Sequence, residues 1–328
     1  MNMKKYKKFF LTMILGVLCV CITGCSNDVD SGKFVTLAVS GGQVAHSTDG
    51  INWAEGTLPI DAGVNWTSVC YGNGKFVAVG GNSTNANDIG AYSTDGIHWI
   101  DIKMPEQEPW KSVCYGNGKF VAIAQSDASA YSYDGSIWFS GEGLPHSDWN
   151  NVCYGIGIFI AVGEFSMAYS PDGIHWEEIT STVATSEVWM SVCYGKGRFV
   201  AVTPDYMAVS TDGINWSSEE VLGNWKGICY GNGRFVTISE GSDKVAYSTD
   251  GIKWKDDAKL PTTAVWQSFC YGNGKFVAVG FEATAPYDGI AAYSTDGISW
   301  TPIEEVFTDK SALSSITYGF DGDIFGFL

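Results

Sequence analysis

From Lys33 onwards the chain is built of short runs of aromatic, β-branched and small apolar residues, each broken off by Gly, Asn or Asp. Runs of this length and composition read as strands, and the breakers read as turns. Four such runs follow one another at Trp66 to Tyr71, Lys75 to Val79, Ala91 to Ser93 and Trp99 to Ile102. The first two are joined by Gly72-Asn73-Gly74 and the last two by Thr94-Asp95-Gly96, where Gly, Asn and Asp supply the positive φ a tight hairpin needs. The pattern predicts two antiparallel hairpins in series.

The same two phrases recur in order along the chain. The first, Val-Cys-Tyr-Gly-Asn-Gly-Lys-Phe-Val-Ala in its commonest form, centres on Tyr71, Tyr115, Tyr154, Tyr194, Tyr230, Tyr271 and Tyr318. The second ends at Trp53, Trp99, Trp138, Trp176, Trp216, Trp254 and Trp300. Successive tyrosines lie 36 to 47 residues apart, the period of a propeller blade of four strands. The expectation is an all-β, seven-bladed β-propeller of four-stranded antiparallel blades, one domain over residues 32–328. Its first copy starts at Gly32-Lys33-Phe34-Val35 without an inner strand, and Ser315-Ile316-Thr317-Tyr318-Gly319 supplies the missing segment. A C-terminal strand must therefore join the N-terminal blade, with Lys33 to Ser40 and Asp323 to Leu328 competing for the place beside it.

Ser93-Thr94-Asp95-Gly96-Ile97-His98-Trp99 and its six counterparts resemble the Asp-box, or BNR, motif of sialidases and other propellers, with one residue fewer between Asp and Gly. The resemblance implies a structural role for Asp49, Asp95, Asp134, Asp172, Asp212, Asp250 and Asp296 in holding each turn, on the face away from any site. It also implies what a sialidase would require: an arginine triad for the substrate carboxylate. This chain has only Arg198 and Arg234, both replacing the lysine seen at Lys75, Lys119 and Lys275. Sialidase activity is not expected on that ground.

Ahead of the repeats, Lys4, Lys5, Lys7 and Lys8 precede an apolar stretch from Phe9 to Val20 that is too short for a permanent membrane span, the layout of an export signal. Its end, Ile22-Thr23-Gly24-Cys25, resembles the lipobox of bacterial lipoproteins. The resemblance implies a signal peptide over residues 1–24, lipidation of Cys25, a tether over 25–31, and anchorage on the outer face of the bacterial cytoplasmic membrane or another extracytoplasmic face. Removing the four leader lysines from a formal charge of −17 leaves −21, a surface that repels phosphate backbones, so no nucleic-acid partner is expected. Cys70, Cys114, Cys153, Cys193, Cys229 and Cys270 recur at one position of six repeats. They read as small buried residues between blades and not as a disulfide framework.

Turns at the Gly-Asn-Gly and Asp-Gly end barely vary among the repeats, while the connections at the other end differ in length and composition. Variable loops on a rigid scaffold are where binding is built. Trp66, Trp110, Trp149, Trp189, Trp225 and Trp266 open the inner strands at that variable end, placed either to ring the channel mouth as a ligand platform or to plug the gaps between strands. Asp88, Glu164, Asp205, Glu240, Glu282 and Asp288 are loop carboxylates that nothing in the sequence pairs, so no catalytic residue is assigned. The histidines and cysteines show no metal spacing, and no cofactor is called for. The reading is a monomeric, surface-anchored, non-catalytic binding or scaffolding propeller for a glycan or protein ligand. The alternatives are a glycoside hydrolase or lyase, and an extracytoplasmic assembly factor for a membrane protein.

Overall fold

A computed structural model describes residues 32–39, 41–59, 64–81, 87–181, 183 and 187–320. The expected signal segment, Cys25, the tether and the candidate strand Asp323 to Leu328 lie outside the described residues. Among the described residues the fold is all-β, and no helix is long and apolar enough to cross a membrane.

Each repeat runs from an inner strand such as Trp66–Gly72 through Lys75–Gly80 and Asn87–Ser93 to an outer strand, Ile100–Glu108. Gly72 pairs with Lys75 across a two-residue turn in which Asn73 and Gly74 both take positive φ, 48° and 72°. That double requirement is what the Asn-Gly pair meets. The inner strands touch one another in sequence order and the last, Leu313–Phe320, touches the first, Trp66–Gly72, so the repeats close into a ring around a central channel. Closure is made by Leu313–Phe320 pairing antiparallel with Gly32–Ala38, with Phe34 opposite Tyr318. The place beside the C-terminal strand is thus held by Gly32–Ala38.

The expectation of seven separate blades is corrected. Counted as hydrogen-bonded units the blades number six: five sheets of four strands and one of six. The six-stranded sheet carries two copies of the repeat, because Arg234–Ser248 and Lys255–Gly272 run through without interruption and pair at Glu240 with Val265 and at Ser242 with Ala264. Thr262-Thr263-Ala264-Val265 has strand character of its own and carries the strand past Pro261 into Trp266. The connection that would have parted two blades becomes a ladder joining them.

The core lies between repeats more than within them. Trp110 and Cys70 pack with Val77 of one repeat and Phe120 and Trp138 of the next, and Trp149 and Cys114 pack with Val121, Phe159 and Trp176 one step further on. The described cysteines lie within these clusters and form no disulfide, and burial pushes the Cys70 thiol upward, away from a reactive thiolate. A ring of close contacts fixes the spacing. A Cβ on Gly72 would lie 2.0 Å from the Tyr115 ring, one on Gly116 2.1 Å from Tyr154, and one on Gly319 2.2 Å from Tyr71 across the closure. Tyr-Gly therefore recurs because each ring lies on the bare backbone of the repeat before it.

Candidate functional site

The Ser-X-Asp-Gly turns bond within themselves. In each, Ser Oγ accepts from the glycine N–H and donates to the aspartate, whose Oδ1 accepts two further backbone N–H bonds; at Asp49 these come from Ile51 and Asn52, both at 2.8 Å. Burial works upward on the Asp49 carboxyl, but the Asn52, Ile51 and Ser47 hydrogen bonds outweigh it and hold the pKa at about 2. At Asp250 the Lys253 and Ile252 backbone bonds lead, and the value is again about 2. Asp212 is lowered chiefly by the Asn215 side chain; in Asp95, Asp134, Asp172 and Asp296 burial again opposes, and the turn bonds prevail. Such a carboxylate, saturated by its own turn, has little left for a ligand.

The six inner tryptophans do not form a platform. Trp66, Trp110, Trp149, Trp189, Trp225 and Trp266 are each at most 1% exposed. Their indoles fill the gaps between consecutive inner strands, and Leu313 takes the equivalent place at the closure. Trp149 Nε1 donates to Pro145 O at 2.9 Å and Trp225 Nε1 to Val221 O at 2.6 Å, tying the strand start to the preceding loop. The ligand-binding role read for these residues is corrected: a ring with no exposed face has nothing to stack on.

What faces the channel is the residue that follows each tryptophan. Thr67, Lys111, Asn150, Met190, Lys226 and Gln267 line a cavity of about 550 Å³ at the tryptophan end of the inner strands, with Ser314 in the corresponding place after Leu313. That volume falls within the roughly 300–1,000 Å³ of small-ligand sites. Two of these side chains are engaged by the wall: Thr67 Oγ1 donates to Trp110 O at 2.8 Å and Asn150 Nδ2 to Trp189 O at 2.9 Å. One step deeper runs a belt of small polar residues. Ser68, Ser112, Ser268 and Ser315 accept from the backbone N–H of Val113, Val152, Ile316 and Val69, and Asn151 accepts from Val192. In an antiparallel ladder alternate N–H groups point away from the partner strand, and on the inner strand these face the neighbouring repeat; a register shift follows Trp66, Trp110, Trp149, Trp225 and Trp266. The belt is interrupted at Gly227, where a Cβ would stand 3.3 Å from the Phe269 ring, a residue larger than the Val found at Val69, Val113, Val152 and Val192.

The charge of this cavity is opposite to that of the chain. Lys111 and Lys226 are the charged side chains of its described lining, which contains no Asp, Glu or His. Lys226 Nζ lies 3.3 Å from Glu240. Among the described residues Lys111 forms no ion pair; burial pushes its pKa down, Lys226 adds to the effect, and Glu240 and Asp148 oppose it. Of the loop carboxylates, Glu240 reaches the channel wall through Lys226. Asp88 pairs with Lys103 at 3.2 Å, Asp288 with Lys310 at 2.8 Å, and Glu164 lies in a separate shallow groove with His146, Asp148 and Glu178. No described group of His, Cys, Asp and Glu could hold a metal ion.

Sequence reasoning passed over the lining lysines because it followed the residue that repeats. The signal lay beside it. In a phrase otherwise nearly uniform, the position after tryptophan changes at every copy.

No protein-family model matches the chain, and no curated protein matches it. Among solved structures the similar folds are β-propellers. A catalytically inactive virginiamycin B lyase from Staphylococcus aureus, crystallised with Quinupristin, superposes with a TM-score of 0.64 at 11% identity, over 82% of this chain and 97% of that one. YCF48 bound to D1 peptide gives 0.57 at 14% identity, over 83% and 96%. The computationally designed Ika8 protein gives 0.56 at 10% identity, over 88% and 91%. At these identities the likeness is one of fold, and it defines the chain as a β-propeller repeat protein.

Proposed function

We propose that the chain is a non-catalytic binding propeller, anchored through Cys25 at an extracytoplasmic membrane face, that seats a glycan or protein ligand at the variable-loop mouth of its channel. The observation that carries this reading is the lining itself: hydroxyls, amides and two ammonium groups surround a cavity of ligand size, with no Asp, Glu or His in the described lining. Hydrolysis or elimination needs a general base and acid within reach of the same atom, and the described lining offers no carboxylate pair or histidine for it. Propellers of similar fold have been captured with Quinupristin and with D1 peptide, which makes the fold a precedent for small and for peptidic ligands alike.

A glycan array together with a pull-down from membranes, both on the full lipidated chain, tests the proposal. Retention of a defined glycan or protein without its chemical change is the expected result. Turnover of a polysaccharide that is abolished by Asp148→Asn or Glu164→Gln in the shallow groove would replace it with a hydrolase or lyase.

A further inference from the structure

The charge inversion in the channel narrows the ligand. The chain carries 36 acidic against 19 basic residues, yet the described lining of the channel cavity holds two lysines and no carboxylate. Lysine is costly at such a place. Lys111 loses hydration, faces the like charge of Lys226, and among the described residues has no ion-pair partner, whereas Lys103, Lys259 and Lys310 elsewhere on the loop face each meet an aspartate within 3.2 Å. At the corresponding positions Thr67 and Asn150 show that a small polar residue satisfies the wall by bonding the next Trp carbonyl. Folding of the ring therefore does not call for lysine there. An anion entering the channel would.

The rest of the lining describes what the anion is attached to. Gln125, Asn65, Gln267 and the serine belt offer amide and hydroxyl groups around the ammoniums, and Met190 offers an apolar edge. Amides that donate and accept, close to a fixed cation, suit a compact body of hydroxyl groups bearing one carboxylate. Resting on the binding function proposed above, we infer that the ligand is an acidic saccharide whose uronate carboxylate is held between Lys111 and Lys226. Lys111 supplies the unpaired charge. Lys226 shares its own with Glu240, so it contributes less and keeps the opposite wall in place.

The test uses the full chain in mild detergent, titrated calorimetrically with D-galacturonate, D-galacturonate oligomers, D-galactose and inorganic phosphate. Uronate should bind and galactose should not. Lys111→Met should weaken uronate binding about tenfold, the worth of one charge-assisted hydrogen bond, and Lys111→Arg should restore most of it. A melting transition for each variant within a few degrees of the parent establishes that the ring is intact, and Lys226→Gln serves as a second variant should Lys111→Met fail to fold. Raising salt should weaken uronate binding in the parent more than in Lys111→Met. Equal binding of galactose and uronate, or uronate binding indifferent to both lysines, overturns the inference while leaving a glycan-binding function in place. Phosphate binding that depends on Lys111 with no uronate binding overturns it as well, since the anion site would then serve a different ligand. No binding of any glycan or protein would defeat the functional reading beneath it.

Discussion

Two kinds of residue in each repeat settle different questions, and single substitutions separate them. The aspartates of the Ser-X-Asp-Gly turns bind protons less readily in the folded ring than in the unfolded chain, where the ordinary value is 3.8; at Asp49 and Asp250 the folded value is about 2. Their contribution is complete above pH 3.8 and disappears as pH falls through about 2. Thermal melting followed from pH 5 to pH 2 should show the transition dropping steeply below pH 4. A transition flat to pH 2.5 would deny these carboxylates their part in holding the turns. Lys111 has the opposite linkage: its pKa lies below the usual lysine value in the fold, so it destabilises the ring while charged and the cost vanishes as pH rises toward 10.5. For the tryptophans the expectation concerns packing. Trp110→Ala should cost about 3–5 kcal/mol of stability by leaving a large cavity between two repeats, read from denaturant unfolding. The burial that makes the loss so large also keeps iodide from the six inner indoles in the native state.

At the scale of the hairpin and the sheet, most of the architecture was legible, and its failures have local causes. Asn-Gly turns, the Ser-X-Asp-Gly turns and the alternation of Val-Cys-Tyr with Phe-Val-Ala are each dictated by a backbone or packing requirement that recurs, so they could be read from one strand of text. The joining of two repeats into a six-stranded sheet was not readable, because it depends on a ladder between residues that the repeat does not contain, Glu240 with Val265 and Ser242 with Ala264. The channel lining was hidden for a related reason: a side chain's aim along an inner strand is a matter of register, which the repeated phrase does not carry. Two turns depart from their own rule. Ile156 and Lys196 stand where the counterparts are Asn73, Asn117, Asn232 and Asn273, at φ 43° and 48°, and Ile156 is exposed. A β-branched residue is strained there, and Ile156→Asn should stabilise the protein by about 1 kcal/mol, raising the urea midpoint without changing the slope. An unchanged or lowered midpoint would show that Ile156 makes contacts worth more than the strain it carries.

For the whole molecule, closure leaves little choice about where function sits. The uniform end is consumed by turns that saturate their own hydrogen bonds, and the outer strands expose carboxylates, Glu177 and Glu178 on one and Glu219 and Glu220 on another, which discourage edge-to-edge pairing. What remains is the variable mouth; the described chain begins at Gly32 and Lys33 beside the Asp95 turn of the uniform end, so a tether from the proposed anchor would approach from the opposite face. Cys25→Ser should then move the protein from the membrane to the soluble fraction with its melting transition unchanged; continued membrane association would set the lipid anchor aside. The most direct test of the account as a whole is an amine-labelling footprint of the full chain, read by mass spectrometry, with and without the glycan or peptide it retains most strongly. The account predicts that bound ligand slows modification of Lys111 and Lys226 while Lys196 and Lys253, outside the channel lining, label at their free rates. Unchanged labelling of Lys111 and Lys226, with protection appearing on the outer strands or the uniform turns instead, would contradict it.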